Sequence, residues 1–305
     1  MAIPNFSIRL LMREGNREKF SRKVLQLGNQ EIITTEEQLE KTAQEENFEL
    51  LKAHCDIGYG RSKFGEHPTT VSSKYFFQRL GFETVDALDY SDFEGANIVH
   101  DLNVLLNKDF KNIGDYNLIY DGGTIEHVFS MPNTLKNIFD LLSVGGRIMH
   151  LSPVNWFNHG FYNYSTCFFE DFYSCNNFLI NECGVFKKLN NDWRDRWLYA
   201  EGDKNSQFIR SLNPTTFDGA IFGINFTATK LHNSTGDIIP QQGYYLINWE
   251  PSGGGRAATE NLGLVKDNTP LKSIYGKLNT IPILKILLTA LRNKYANSLV
   301  KWEDI

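Results

Sequence analysis

Two histidines are the side chains of this sequence best suited to move a proton. His127 closes the run Asp121-Gly122-Gly123-Thr124-Ile125-Glu126-His127-Val128, and His159 sits in Asn155-Trp156-Phe157-Asn158-His159-Gly160-Phe161-Tyr162-Asn163-Tyr164. Imidazole titrates nearest neutral pH, so both are acid–base candidates. Around His159, aromatic faces alternate with asparagine amides, a lining that suits a hydroxylated, weakly charged molecule such as a sugar or a polyketide-like alcohol. Trp156, Asn158, Tyr162 and Tyr164 are the candidate contacts to such a molecule. A second group is acidic: Asp89, Asp101 and Asp121 close three successive apolar runs. A carboxylate is acceptor-only, and its two oxygens match two adjacent donors. Gly28, Gly122 and Gly123 would let a ligand approach the backbone closely. Gly58 and Gly60 form a later pair that could complete such a site. Trp193-Arg194-Asp195-Arg196-Trp197 reads as a surface ion-pair cluster somewhat ahead of a carboxylate or phosphate clamp. No metal site is expected, because the histidines lack helix-spaced or CxxC-type partners.

These residues need a scaffold that brings strand ends together. The run 23–28 suits a first buried strand closed by glycine, and 83–89, 97–101 and 116–121 are further strand candidates. Thr34 and Glu37 predict a capped helix reaching about residue 52. A second helix is expected over 70–80, ending at Gly81. Leu135, Ile138, Phe139, Leu141 and Leu142 follow helical spacing, and Gly145-Gly146 marks the end of that helix before a strand over 147–151. The aromatic stretch 168–178 reads as a helix. Strands are expected over 185–189 and 220–230, the second with the alternation of an antiparallel edge element. Strand, helix, strand in this rhythm predicts a parallel sheet, with ligands at the carboxyl ends of its strands.

The segment 116–153 resembles the fourth and fifth strands of class I S-adenosylmethionine-dependent methyltransferases, which carry an acidic, glycine-containing loop ending in Glu-His-Val and then Leu-Leu-x-x-Gly-Gly-Arg. The resemblance implies a Rossmann-like, doubly wound, mostly parallel α/β sheet with a late antiparallel strand, and S-adenosylmethionine as cofactor. It implies that Gly28 passes close to the cofactor, that Asp89 accepts from both ribose hydroxyls, and that Asp101 meets the adenine amino group while Leu102 packs on the ring. Asp121, Gly122 and Gly123 would lie near the methionine part. His159, after the fifth strand where acceptors bind, is then the preferred base, and His127 has a place holding the loop after the fourth. The first glycine motif departs from the family pattern: Leu27-Gly28-Asn29-Gln30 stands where Gly-x-Gly-x-Gly is usual. The stretch from Gly28 to Asp89 is also far longer than the roughly 20 residues of the dinucleotide fold, which predicts an insertion over about 31–68 that covers the cofactor. The activity implied is methyl transfer to a small molecule or saccharide, at oxygen. The alternatives are a non-catalytic binding protein on the same fold and a nucleotide-sugar or dinucleotide enzyme, although the Gly-x-Gly-x-x-Gly phosphate loop of the latter is missing.

The chain has 305 residues, 41% hydrophobic, enough for one large core. A net charge of -5 argues against broad nucleic-acid binding. Cys55, Cys167, Cys175 and Cys183 show no paired motif, so a reducing, cytoplasmic setting is expected. The expected organisation is an N-terminal helical segment over 1–22, a catalytic domain over 23–250, and a linker with a helical extension over 251–305. Pro251-Ser-Gly-Gly-Gly255 opens that extension, and its basic apolar segment 272–301 is expected to pack on the same domain or on a second subunit, with a lipid surface as the alternative.

Overall fold

Side chains alternate across a strand, and here the alternation divides the core in two. Val24, Leu118, Tyr120 and Met149 belong to one apolar cluster, whereas Leu25, Leu27, Ile119 and Ile148 belong to another. The sheet is therefore buried on both faces, as a helix-covered parallel sheet requires. The computed structural model describes residues 2–62, 65–188, 197–202, 220–243 and 303–304.

In chain order the elements are β1 (Ala2–Ile3), α1 (Asn5–Arg17), β2 (Lys23–Leu27), β3 (Glu31–Ile32), α2 (Glu36–Glu45), β4 (Tyr59–Ser62), β5 (Gly65–Val71), α3 (Ser73–Leu80), β6 (Thr84–Asp89), β7 (Ile98–Val99), β8 (Tyr116–Asp121), a 3₁₀ turn (Ile125–His127), α4 (Met131–Leu141), β9 (Leu142–Pro153), α5 (Thr166–Cys175), β10 (Leu179–Lys188), β11 (Trp197–Ala200), β12 (Ile221–Thr229) and β13 (Glu303–Asp304). The main sheet runs β13-β11-β10-β12-β9-β8-β2-β6-β7. From β7 to β9 all neighbours are parallel. Counting only these strands by appearance gives the order 3-2-1-4-5 of doubly wound folds. β12 then lies antiparallel between β9 and β10, which leaves β10 parallel to β9. The fold is a Rossmann-like α/β sheet with a late antiparallel strand.

Helices cover both faces. Phe6 and Ile8 of α1, Leu39 of α2 and Phe76 of α3 pack on one. Leu135 and Ile138 of α4, with Phe169 and Phe172 of α5, pack on the other. α1 is the helix expected near the N-terminus, and α3 stops at Gly81, whose φ of +116° favours glycine.

Four expectations need correction. The cap of α2 is Thr35, bonded reciprocally with Gln38, and the helix ends at Glu45. β9 begins at Leu142 and runs through the glycine pair, with a register shift opposite Tyr116–Leu118. β12 is an interior strand, buried along almost its whole length. The stretch 31–68 holds β3, α2 and the β4–β5 hairpin, yet α2 is fastened to its neighbouring helices: Arg13 Nε reaches Glu46 at 2.7 Å, and Arg79 pairs with Glu36 and Glu40. α2 thus belongs to a helical face of the sheet. Residues 193–196 and the segment 272–301 lie outside the described residues. Of the extension, Glu303 and Asp304 are described, as β13 against β11.

Candidate active site

Register places the strand ends level. Leu27 pairs with both Leu88 and Asp121, Asp89 with Val99, and Asp121 with His150. The residues that follow these pairs therefore share one edge of the sheet. At its centre Gly28 turns with φ +70°, and its N–H donates to Leu88 O at 2.8 Å. The next side chains fold back over the turn: Asn29 Nδ2 donates to Glu94 O at 2.7 Å, and Gln30 Nε2 donates to Leu27 O at 2.8 Å. Gln30 is buried, and its Oε1 has no hydrogen-bond partner among the described residues. That oxygen lies 2.8 Å from where a Cβ on Gly122 would stand, so only glycine fits there without displacing it. Gln30 was not foreseen; a buried amide just past a strand-ending glycine was the available signal. Gly58 has a φ of +53° and packs on Ser72, at the head of α3, next to the Ser73 hydroxyl that donates to Asn29. Side chains around Gly60 are not described.

The acidic candidates separate. Asp89 is partly exposed at the end of β6, with Oδ1 accepting from Tyr90 N–H at 2.6 Å. Tyr90 and Phe93 beside it are 74% and 88% exposed, large apolar surface standing in solvent at a strand end. Asp101 accepts from the Asn103 backbone and side chain, each at 2.9 Å, and these bonds hold its carboxyl below the usual range. Leu102 is buried in the core with α4 and offers little face to a ring. Asp121 is fully buried: Oδ1 accepts from Thr124 N–H at 2.8 Å, and Oδ2 meets His150 Nδ1 at 2.7 Å. His150 Nε2 continues to the Tyr173 hydroxyl at 2.7 Å. The expectation that Asp121 meets the methionine part is thereby corrected for its side chain, because both its oxygens are engaged inside the core. Its backbone, with Gly122 and Gly123, remains at the edge.

The two histidines meet over Glu126, which in the sequence stands out only as part of the Glu-His-Val run. Their rings are 5.0 Å apart, and His159 Nε2 is 3.4 Å from Glu126 Oε1. Two glycines make room. Gly123, at φ +98°, would place a Cβ 2.9 Å from Glu126 Oε1, and Gly160 would place one 2.8 Å from Glu126 O. Phe161 N–H donates to that same carbonyl at 2.7 Å, tying the loop after β9 to the turn after β8. Asn158 supplies the left-handed residue, φ +59°, that aims His159 back toward the sheet. Glu126 is buried, and its Oε2 has no partner among the described residues. Burial, reinforced by Asp121, pushes its carboxyl up to about 8. Burial lowers both imidazoles, and for His127 the neighbouring His159 adds to the effect. Near neutral pH the cluster is thus poised to accept a proton on nitrogen.

The aromatic candidates divide in the same way. Trp156 anchors the loop by donating Nε1–H to Phe222 O at 3.0 Å, with its ring 4.9 Å from that of His159. The Tyr162 hydroxyl donates to Phe129 O at 2.7 Å. Tyr164 is a core residue, 4% exposed, and is withdrawn as an acceptor contact. The exposed rings near the cluster are instead Phe129, Phe157 and Phe161.

No family model matches the chain, and no curated protein matches it. Similar solved structures are methyltransferases. A 1,6-didemethyltoxoflavin-N1-methyltransferase from Burkholderia thailandensis, solved with S-adenosylhomocysteine, is 12% identical, with a TM-score of 0.38 over 73% of this chain and 78% of that one. An O-methyltransferase from a trans-AT PKS multienzyme of Brevibacillus brevis is 14% identical, with a TM-score of 0.35 over 76% and 73%. Phosphoethanolamine N-methyltransferase 2 of Haemonchus contortus is 10% identical, with a TM-score of 0.34 over 73% of this chain and 52% of that one. The fold itself rests on the strand order and directions. Among the described residues no helix is long and apolar enough to cross a membrane.

Proposed function

We propose that the protein is an S-adenosylmethionine-dependent methyltransferase acting at oxygen on a small, hydroxylated, largely uncharged molecule. The observation that carries the reading is the pairing of the antiparallel β12, set into a Rossmann-like sheet, with a proton-accepting cluster at the carboxyl ends of β8 and β9. The strand-end edge suits the cofactor in two respects. Gln30 Oε1 is a buried acceptor lacking a donor, suited to an ammonium group, and Gly122 keeps the backbone beside it open. Asp89 would take the ribose hydroxyls, with Gly28 and Gly123 giving close approach, and Asp101 would receive an exocyclic amine. When bound, S-adenosylmethionine supplies an electrophilic methyl group.

The chain's own part is to orient and to deprotonate. Trp156 and the Phe161–Glu126 tie hold His159 against Glu126, so an acceptor hydroxyl entering beside Phe129 and Phe161 meets Nε2 of an imidazole that burial keeps neutral. That nitrogen would take the hydroxyl proton as the oxygen attacks, and proximity supplies much of the acceleration. Calorimetry with S-adenosylhomocysteine tests the first half: the full chain should bind, and Asp89→Ala should weaken binding on the order of 10- to 100-fold. His159→Ala should bind as tightly yet turn over ~10²–10⁴-fold more slowly. Absence of binding by the folded wild-type protein at millimolar ligand would overturn the reading in favour of a non-catalytic binding protein, which the single glycine after β2 would then explain.

A further inference from the structure

We propose that Glu126, His127 and His159 form a site for one divalent transition-metal ion, of the kind that zinc or manganese would fill. One ligand atom from each lies within 4.8 Å of the other two. Two imidazoles and one carboxylate make a donor set that favours such ions over magnesium or calcium, which prefer all-oxygen sites. The separations support coordination over hydrogen bonding. At 3.4 Å, His159 Nε2 and Glu126 Oε1 are too far apart for a good hydrogen bond. The same distance matches the edge of a tetrahedron with metal–ligand bonds near 2.1 Å, about 3.4 Å. The widest separation would have to shorten on binding, and His127 and His159 are both exposed, so their rings are not locked in the core.

A second, independent observation comes from Glu126. It is 1% exposed, and its Oε2 is buried without a hydrogen-bond partner among the described residues. To be held as an anion, a carboxylate withdrawn from water in this way needs a cation or a donor, and no described arginine or lysine pairs with it. Asp121 adds negative field from behind. Gly123 and Gly160 keep the carboxylate in place by the absence of their side chains. Three protein ligands leave the fourth position open, the pattern of catalytic sites rather than closed structural ones. His159 itself belongs to the loop assigned above to the acceptor. An ion there would lower the pKa of an acceptor hydroxyl directly, with His159 serving as ligand instead of base. That use in methyl transfer rests on the proposed function, whereas the existence of the site does not.

The experiment is a titration of the full-length chain, stripped with a chelator, with zinc, manganese and magnesium chlorides by calorimetry, alongside cobalt(II) as a spectroscopic probe. One zinc ion per chain should bind, at least ~100-fold tighter than magnesium, with cobalt giving a visible spectrum of low-coordinate nitrogen and oxygen ligation without thiolate bands. Glu126→Gln, His127→Ala and His159→Ala should each weaken zinc at least ~10-fold, while Cys167→Ser should leave it unchanged. Glu126→Gln keeps shape and volume, so it guards against loss through misfolding, checked by circular dichroism. Equal zinc affinity in all three variants, or a cobalt spectrum dominated by thiolate, would overturn the proposal. S-adenosylhomocysteine binding, measured on the same samples, separates the two readings. Zinc bound without the nucleoside keeps the metal site and removes the methyltransferase, and the reverse outcome does the opposite.

Discussion

Gly123 and Gly145 pose the same question with different neighbours. Both hold positive φ, +98° and +81°, where a β-carbon costs about 1–2 kcal/mol. Around Gly145 nothing lies within 4 Å of the added atom, whereas at Gly123 the Glu126 carboxylate is 2.9 Å away. Alanine at either position should therefore lower the denaturation midpoint by a similar amount. Only Gly123→Ala should also cut turnover, by more than about tenfold, because it pushes Glu126 off His159. Equal activity in the two variants would show that the position of Glu126 does not matter to the reaction. Much at this scale was legible in the sequence. Residue types and spacing put both histidines and the strand-end acids on one edge. The sequence could not tell a partly exposed Asp89 from a buried Asp121, because the difference depends on His150 and Tyr173, which arrive from β9 and α5.

At the scale of elements, β12 shows what alternation can and cannot reveal. Phe222, Ile224, Phe226 and Ala228 alternate with Gly223, Asn225 and Thr227, the pattern of a strand with one wet face. That polar face is in fact buried, on the side of the sheet that α1 covers, and Asn225 Nδ2 donates there to Glu182 Oε1 at 3.1 Å and to the Tyr199 hydroxyl at 3.2 Å, while Asn225 Oδ1 and Thr227 Oγ1 have no hydrogen-bond partner among the described residues. Sequence gives the period of a strand, but the covering helix is far away along the chain. Glu182 itself pairs with Arg17 of α1, yet burial outweighs that pairing and pushes its carboxyl up to about 7. The folded protein thus keeps a proton that the unfolded chain has released between pH about 4.5 and 7. The stabilisation this gives is full below about 4.5 and is lost as pH rises through 7. Glu182→Gln should flatten that decline. The stability difference between variant and wild type should change by an amount on the order of 3 kcal/mol from pH 4.5 to 8, read from urea midpoints. A pH profile parallel to wild type would mean that Glu182 is ionised throughout, held by Arg17.

Over the whole molecule, exposed aromatic surface gathers where the sheet ends. Tyr90 and Phe93 flank the end of β6, while Phe129, Phe157 and Phe161 flank the loops after β8 and β9. Buried aromatics elsewhere are locked in stacks, such as Phe169 and Tyr173 against Phe226, so these exposed rings are not overflow from a crowded core. Rings left in water at strand ends, where open α/β sheets bind ligands, are best explained by what they would cover. Under the proposed function their division follows the division of the sheet: the β6 side would hold Asp89 for the cofactor, and the β8–β9 side would hold His159 for the acceptor. Phe93→Ala and Phe161→Ala should consequently have opposite signatures. Each side chain is mostly in solvent, so both variants should keep wild-type stability within about 0.5 kcal/mol. Phe93→Ala should weaken S-adenosylhomocysteine binding several-fold, the scale of one ring contact. Phe161→Ala should leave that affinity unchanged and raise the acceptor KM with little change in kcat, the mark of lost uniform binding. If Phe161→Ala weakened the cofactor and Phe93→Ala the acceptor, the two halves of the edge would have to exchange roles, and His159 could no longer be the group that meets the acceptor oxygen.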